Sequence, residues 1–172
     1  MHLQRLKNMK QLVPIFLIVI GLSACTIEYG LTDTRINAES FSVDIFEEQA
    51  ANAPSGYGAT FTDFLKDFMI SRTKLDLKNK NADLEIQGRI TYFNTSPVSV
   101  QGDNTAALNR LNVTVSVTVI NNVNEQESFE ASFSQFSDFD AGQDLSSVQD
   151  ALLEDINGKL SQDIINRLTS NW

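Results

Sequence analysis

The chain has 172 residues, 42% of them hydrophobic, with 13 basic and 22 acidic side chains and a formal charge of −9. This length suits one ordinary domain with a sizeable core. The acidic balance argues against a nucleic-acid partner, because such binding depends on Lys and Arg that neutralise phosphates. The single Cys, Cys25, excludes a disulfide framework, and the single His, His2, leaves no His-based catalytic centre in the body of the chain.

An apolar run with a basic flank opens the chain. Three basic residues precede the apolar residues 12–21, and Leu22-Ser23-Ala24-Cys25 closes the run. A basic region, a short apolar region and small residues before a cut site predict a secretory signal, since a membrane span needs about 20 apolar residues. The Cys after Leu-Ser-Ala resembles a bacterial lipoprotein box. We therefore predict a signal peptide over residues 1–24 and lipidation of Cys25.

The lipoprotein box also predicts where the protein resides. Several acyl chains on one Cys hold a protein firmly at a membrane. Thr26 replaces the Asp that retains many proteobacterial lipoproteins at the inner membrane, so the resemblance implies the periplasmic side of an outer membrane. Without the signal, the chain keeps 148 residues with ten basic and 22 acidic side chains, a formal charge of −12. The alternative is a cleaved signal with an incidental Cys, or an uncleaved anchor.

Weak periodicity follows the lipoprotein box and gives way to regular elements. It predicts a lipidated tether over residues 25–40 and a single domain over residues 41–172. Residues 41–45 alternate apolar and polar side chains, which predicts a half-buried strand. Residues 47–59 contain Pro and Gly and are interpreted as a loop. Thr60-x-x-Asp63 resembles a capping box and predicts the start of a helix.

This helix carries an aromatic stripe. Its apolar side chains recur at helical spacing and form one face, which we interpret as core, with a lipid pocket as the alternative. The stripe consists of Phe61, Phe64, Leu65, Phe68 and Met69.

Three further strands are predicted, beginning after an extended region at Leu75 and Leu77. Gly88 in the first of them indicates a bulge or a close approach of another group. A turn at residues 121–125 predicts a hairpin between the other two, with Phe136 and Phe139 in the loop that follows. The faces assigned to the core are Leu84, Ile86, Gly88, Ile90 and Tyr92 in the first strand, Leu111, Val113, Val115, Val117 and Val119 in the second, and Phe129, Ala131 and Phe133 in the third.

A long amphipathic helix is predicted over residues 147–170, opened by a second capping box, Ser147-x-x-Asp150. Gly158 inside it is either a close helix–sheet approach or a tolerated Gly. The fold class is therefore α+β: a two-layer sandwich of two amphipathic helices on a four-stranded mixed sheet, in the order β-α-β-β-β-α. The helix's apolar stripe is Val148, Leu152, Leu153, Ile156, Leu160, Ile164, Ile165 and Leu168.

Several motifs together resemble the LptE family, and more narrowly its Bacteroidetes branch. The similarity runs over nearly the whole chain after the signal, and its most distinctive block is residues 101–111. The motifs are the Cys25 anchor, Phe61-x-x-Phe64-Leu65-x-x-x-Met69, Ser71-x-Thr73-x-Leu75, Pro97-Val98-x-Val100-Gln101-Gly102, Ala106-Ala107-Leu108-Asn109-Arg110-Leu111, Phe133-x-x-Phe136-x-x-Phe139 and Trp172.

The resemblance implies a fold, a function and a partner. Helices on a mixed four-stranded sheet are the family's fold. LptE lipoproteins plug the lumen of the outer-membrane barrel LptD, assist its assembly, and help it insert lipopolysaccharide into the outer leaflet. The partners implied are an LptD-type barrel, lipopolysaccharide and a membrane reached through acylated Cys25. A lipoprotein that binds another envelope polymer or complex, and a purely structural barrel plug, are the alternatives.

Two surfaces are candidates for binding lipopolysaccharide or a protein partner. Arg72, Lys74, Lys78 and Lys80 cluster after the first helix and are candidates for lipopolysaccharide binding, because Arg and Lys suit the phosphates of lipid A; a solvated turn is the alternative. The polar stretch from Gln101 to Arg110 is a candidate partner loop, with Gln101, Asn104 and Arg110 as its contact residues. A simple connection is the alternative there, with Arg110 paired to an acidic neighbour.

The remaining motifs predict no chemistry. Asp138-x-Asp140-x-Gly142-x-Asp144 departs from the EF-hand calcium pattern and is interpreted as an acidic approach to the N-terminus of the last helix. Trp172 is interpreted as packing on the end of the sheet or helix, with an interface role as the alternative. We predict no metal, no cofactor and no enzymatic activity, since the mature chain lacks His, a free thiol and a G-x-S-x-G motif.

Overall fold

A mixed sheet with helices on one face forms the part of the chain that the structure describes. The computed structural model describes residues 36–98 and 107–170. The elements within these ranges are β1 (Ser40–Val43), β2 (Glu47–Glu48), α1 (Tyr57–Arg72), β3 (Asp76–Leu77), β4 (Leu84–Val98), β5 (Leu108–Asn121), a 3-10 turn (Glu125–Glu127), β6 (Phe129–Asp140) and α2 (Leu145–Thr169).

The strand order confirms the predicted α+β class. The described strands form one sheet in the order β3-β1-β4-β5-β6, with β2 also paired to β4. β1 runs parallel to β3 and β4, because α1 carries the chain back between them, whereas β4, β5 and β6 are antiparallel. The sheet therefore has more strands than the predicted four. β2 and β3 have only two residues each, too few to show a period in the sequence.

One apolar core lies between the sheet and both helices. The predicted inner face of β5 is confirmed, since its five aliphatic side chains are at most 1% exposed. Phe61, Leu65 and Met69 of α1 are fully buried in the same cluster, and the partly buried Phe68 packs against it. Phe64 is partly buried and stacks on Phe68. The aromatic stripe is therefore core except for Phe64. The opposite face of the three long strands carries mainly small polar side chains, among them Thr114, Ser116, Thr118, Ser132 and Ser134.

A β-bulge in β4 reverses part of the predicted pattern. The register with β5 shifts between Ile90 and Tyr92, so one extra residue enters the strand there. Beyond the bulge Phe93 turns into the core and is 5% exposed, while Tyr92 lies on the opposite face and is 48% exposed. The assignment of Tyr92 to the core face was wrong, because strict alternation fails where a residue is inserted.

Both predicted capping boxes were wrong. α1 begins at Tyr57 after Gly56, which has φ +85°, and α2 begins at Leu145 after Asp144. Thr60 and Ser147 lie inside the first turns, and each hydroxyl donates back to the carbonyl oxygen of the residue before the helix. Neither helix has a side-chain cap. Hydroxyls this close to a helix start can satisfy a carbonyl instead of capping an N–H group.

The two flagged glycines have different surroundings. A Cβ at Gly88 would lie 2.4 Å from Cε1 of Phe46 and 2.7 Å from the carbonyl oxygen of Ser116, so Gly88 is a site of close approach. A Cβ at Gly158 would have nothing within 4 Å. Gly158 is therefore a tolerated helical glycine and marks no close helix–sheet contact.

The third long strand is longer than predicted. β6 continues to Asp140, so Phe136 and Phe139 lie in a strand and not in a loop. They point to opposite faces: Phe139 is buried in the core, and Phe136 is exposed on the polar face. Serine and aspartate between the aromatic residues concealed the strand, because such residues are typical of turns.

Candidate functional site

The four basic candidates follow the end of α1. Arg72 is the last residue of α1, Lys74 precedes β3, and Lys78 and Lys80 follow it. All four side chains are exposed. Within residues 36–98 and 107–170 none of them lies within 4 Å of a carboxylate oxygen in a salt bridge. The structure thus presents four exposed cations over nine positions of an otherwise acidic chain.

The backbone that carries these cations is tied to the sheet. Thr73 ends α1 by donating its N–H to the carbonyl oxygen of Met69. The N–H of Lys78 donates to the carbonyl oxygen of Phe41 at 2.8 Å. The Arg72 guanidinium lies 5.2 Å from the centre of the Phe68 ring, within the range of a cation–π contact. The charges therefore lie on a fixed backbone, which suits recognition of phosphate or other anionic oxygens.

The start of β4 is held to β1 by one carboxylate beside this segment. Asp83 accepts hydrogen bonds from the backbone N–H groups of Glu39 at 2.8 Å and Ser40 at 3.0 Å. The Ser40 hydroxyl in turn accepts from the N–H of Asp83. The bond from Glu39 is the main cause that lowers the pKa of Asp83, and the charge of Lys78 adds to it. No local pattern indicated this contact, because it joins positions 43 residues apart.

The partner-loop candidate Arg110 is held in place by its neighbours. Its guanidinium donates to both carboxylate oxygens of Asp138, at 2.7 and 2.9 Å, and lies 3.6 Å from the centre of the Phe136 ring. Asp138 faces Arg110 directly across β5 and β6. The expected alternative, a pairing with an acidic neighbour, is thus present, and Arg110 lies in β5 and not in a loop as predicted. Strand alignment in the hairpin is the signal that could have identified Asp138.

We expect this pair to make stability depend on pH in the acid range. The hydrogen bonds from Arg110 are the main cause that lowers the pKa of Asp138. A lowered carboxyl pKa contributes stability above the unfolded value of about 3.9, and that stability is lost as pH falls through the folded value. Asp138→Asn should therefore flatten the acid limb of a melting-temperature profile between roughly pH 5 and 2. An unchanged limb would contradict this contribution.

Other predicted sites lie outside the described residues. These are Cys25, Gln101, Asn104 and Trp172. In the acidic run, the Asp140 carboxylate accepts from the N–H of Gly142, and Asp144 precedes α2. Among the residues that the structure covers, no three His, Cys, Asp or Glu side chains come together as a metal site would require. Neither of the helices described is long and apolar enough to cross a membrane.

Two open grooves were not predicted. One, of about 310 Å³, lies on the polar sheet face and is lined by Asp44, Glu47 and Arg89, among others. The other, of about 390 Å³, lies where α2 ends beside the turn between β5 and β6. Each groove joins segments that are distant in the sequence, so no local pattern could indicate it.

The family model for LptE, described as lipopolysaccharide-assembly, matches residues 38–168. The chain belongs to the LptE family. Membership places it among lipopolysaccharide-assembly lipoproteins of the Gram-negative envelope. The predicted resemblance to the LptE family is thereby confirmed, and the matched range contains all four basic candidates and Arg110. No curated protein matches the sequence.

Solved structures share the fold of this chain. A minor lipoprotein from Acinetobacter baumannii matches with a TM-score of 0.51 and 11% identity, covering 77% of this chain and 94% of its own. The hypothetical protein CT253 from Chlamydia trachomatis matches with a TM-score of 0.55 and 9% identity, covering 78% and 99%. Identities this low show a shared fold and nothing about ligands.

Proposed function

We propose that this LptE-family protein is an outer-membrane lipoprotein subunit of the lipopolysaccharide transport complex. In this proposal it plugs and helps assemble an LptD-type barrel, and it assists insertion of lipopolysaccharide into the outer leaflet. The observation that carries the proposal is the family match over residues 38–168. The work is binding and positioning, and no covalent step is involved.

The lipid anchor at Cys25 and the location of the protein are part of the same proposal. Acylation of Cys25 would hold the domain on the periplasmic side of the outer membrane, where a barrel partner and its lipid substrate meet. The fixed Arg110 supports the partner-loop hypothesis, because its contacts with Asp138 and Phe136 anchor one end of the stretch from Gln101 to Arg110. A loop with one end held rigidly loses less conformational entropy on binding.

The partner is tested by affinity purification of the tagged, full-length lipoprotein from detergent-solubilised outer membrane. We expect one large barrel of the LptD type in a stoichiometric amount, identified by mass spectrometry. The matched control is Cys25→Ala, which we expect to be lost from the outer-membrane fraction because its anchor is gone. Recovery of the wild-type protein without a barrel would overturn the proposal and favour another envelope complex.

Lipid binding is predicted for the four exposed cations. Replacing Arg72, Lys74, Lys78 and Lys80 by Gln should weaken binding of purified lipopolysaccharide several-fold, because charge-assisted contacts with phosphate are lost. The wild-type affinity should also fall with added salt, since exposed charges are screened. Surface plasmon resonance with the detergent-solubilised complex measures both effects.

A control must carry the same change of net charge. Gln at Lys66, Arg89, Lys159 and Arg167 removes four charges elsewhere on the domain; the first three lie in surface salt bridges of small energetic value. We expect this control to retain most of the affinity. Equal lipopolysaccharide binding by the first variant and the wild type would contradict a role of the four cations in lipid binding. It would favour the alternative in which the protein is a purely structural plug of the barrel.

A further inference from the structure

We infer that one end of the sheet, where the chain enters the domain, docks on an anionic phospholipid surface. This surface, the entry end, comprises residues 36–39, 70–85, 120–128 and 165–170. The contact is a second one with the membrane, besides the acyl chains on Cys25, and it rests on the proposed function only for that anchor. It involves neither the barrel partner nor lipopolysaccharide.

Backbone hydrogen bonds bring the segments of the entry end together. The N–H of Asp76 donates to the carbonyl oxygen of Glu39 at 2.9 Å, and the N–H of Asn122 donates to that of Asp83 at 2.8 Å. The last residues of α2 lie there too, because they line one groove together with Ile36 and the turn after β5. These segments therefore form one surface.

The cations of the described chain are divided between the entry end and the rest of the domain. Four of them form salt bridges and lie outside the entry end: Lys66, Arg89, Arg110 and Lys159. The others make no salt bridge within residues 36–98 and 107–170, and all of them lie at the entry end: Arg72, Lys74, Lys78, Lys80 and Arg167.

This division gives the domain a strong asymmetry of charge. The entry end has five cations and six carboxylates, whereas the rest of the described chain has four cations and thirteen carboxylates. An anionic lipid surface repels the acidic rest of the domain and attracts the unpaired cations. The charges therefore favour the orientation in which the entry end faces the lipid.

Exposed apolar side chains accompany these cations. Val123 is 55% exposed and lies in the turn after β5, which is fixed because the Asn121 side-chain oxygen accepts from the N–H of Val123 at 2.9 Å. Apolar side chains beside Lys and Arg combine burial among lipids with attraction to anionic headgroups. Four of the seven exposed large hydrophobic side chains of the described chain belong to the entry end: Ile70, Leu77, Ile120 and Val123.

Chain connectivity favours the same surface. Ile36 is the first described residue and lies at the entry end, eleven positions after Cys25. Eleven residues span at most about 40 Å, so an acyl anchor on Cys25 keeps the entry end near the membrane. β4 has 15 residues and runs away from this end, over roughly 50 Å. The opposite end of the sheet can therefore lie much farther from the lipid.

The test uses the full-length, acylated protein in vesicles of phosphatidylethanolamine and phosphatidylglycerol, without barrel or lipopolysaccharide. Cys25 is the only Cys, so an introduced Cys is the only free thiol once Cys25 is acylated. Asn79→Cys places a nitrobenzoxadiazole label between Lys78 and Lys80. Ala141→Cys places it beside the end of β6, at the opposite end of the sheet, and both positions are exposed. We expect a spin-labelled lipid to quench the label at position 79 several-fold more strongly than the label at position 141.

A second variant tests the apolar contact and leaves all the cations in place. Val123→Asp should reduce quenching of the label at position 79 several-fold, because it replaces an exposed apolar side chain by a carboxylate. The matched control is Ile45→Asp, the same kind of change at a side chain that is 70% exposed and lies outside the entry end. This control should leave the quenching unchanged. Added salt, or phosphatidylcholine in place of phosphatidylglycerol, should also lower the quenching, because the attraction of the cations is then screened or lost.

Each outcome decides for or against the docking surface. Equal quenching of the two labels would overturn the inference, and so would equal effects of Val123→Asp and Ile45→Asp. Quenching that depends on neither salt nor phosphatidylglycerol would contradict the attraction by the cations. The intact mass of the protein shows separately whether Cys25 is acylated. If the acyl chains are absent, the anchor of the proposed function fails, and flotation of the unacylated chain with the same vesicles decides: co-flotation supports the docking surface, and its absence overturns it.

Discussion

Alanine at Gly58 should destabilise the domain by about 2–3 kcal/mol, whereas alanine at Gly158 should stabilise it by up to about 1 kcal/mol. Both positions are helical, and alanine is the better helix former at each. Their surroundings decide whether alanine raises or lowers the stability of the domain. A Cβ at Gly58 would lie 2.1 Å from the carbonyl oxygen of Phe46, whereas one at Gly158 would have nothing within 4 Å.

The clash at Gly58 cannot be relieved by a side-chain rotation, because the obstructing atom belongs to the backbone. That backbone is also fixed from both sides. The Thr62 hydroxyl accepts from the N–H of Phe46 at 3.0 Å, and the N–H of Gly58 donates to Glu48 at 3.0 Å. Urea denaturation of the two variants measures the effect. Similar stabilities for Gly58→Ala and Gly158→Ala would show that the contact between α1 and Phe46 is looser than described.

Loss of the Asn157 side chain is the second large expected effect. Asn157 and Tyr57 are 3% and 2% exposed, and the Tyr57 hydroxyl donates to the Asn157 side-chain oxygen at 2.7 Å, joining α2 to α1. Asn157→Ala leaves a buried hydroxyl without its acceptor and should cost about 1–3 kcal/mol. The exposed Asn166 provides the control, since Asn166→Ala should change stability by about 0.5 kcal/mol or less.

A double-mutant cycle and an alkaline titration test this bond. Tyr57→Phe with Asn157→Leu should cost less than the sum of the single changes, because no polar atom is then left unpaired. Burial raises the pKa of Tyr57, so the fold favours the neutral phenol. The stability that this gives is complete below the unfolded value of about 10 and is lost as pH rises above it. Additive losses, or an alkaline limb that Tyr57→Phe leaves unchanged, would contradict the assignment.

The long elements could be predicted because their periods are uninterrupted. The spacing of the apolar residues was enough to assign the five aliphatic side chains of β5 and the stripe of α2 to the core. Prediction failed where one residue changes the register, as at the bulge before Tyr92, and where a strand has two residues, as in β3. Such features depend on partners distant in the sequence, which local periodicity cannot report.

The candidate sites show the same difference between local sequence patterns and contacts that are distant in the sequence. The four cations were found because they lie within nine positions of one another, and Arg110 because it adjoins a polar stretch. The carboxylate of Asp138 and the ring of Phe136 that fix Arg110 were not found as its partners, since strand pairing brings them there. The groove at the end of α2 was missed for the same reason, because its walls combine both ends of the described chain with Leu84, Val119 and the turn after β5.

The place of β1 inside the sheet has a consequence for the order of folding. β4, β5 and β6 pair with their neighbours along the chain, so they can assemble early. β1 must instead insert between β3 and β4, more than 30 residues further on. The first of the described strands to leave the ribosome must thus wait for partners that emerge more than 30 residues later, and a chaperone that shields β1 until β4 has emerged would prevent it from aggregating.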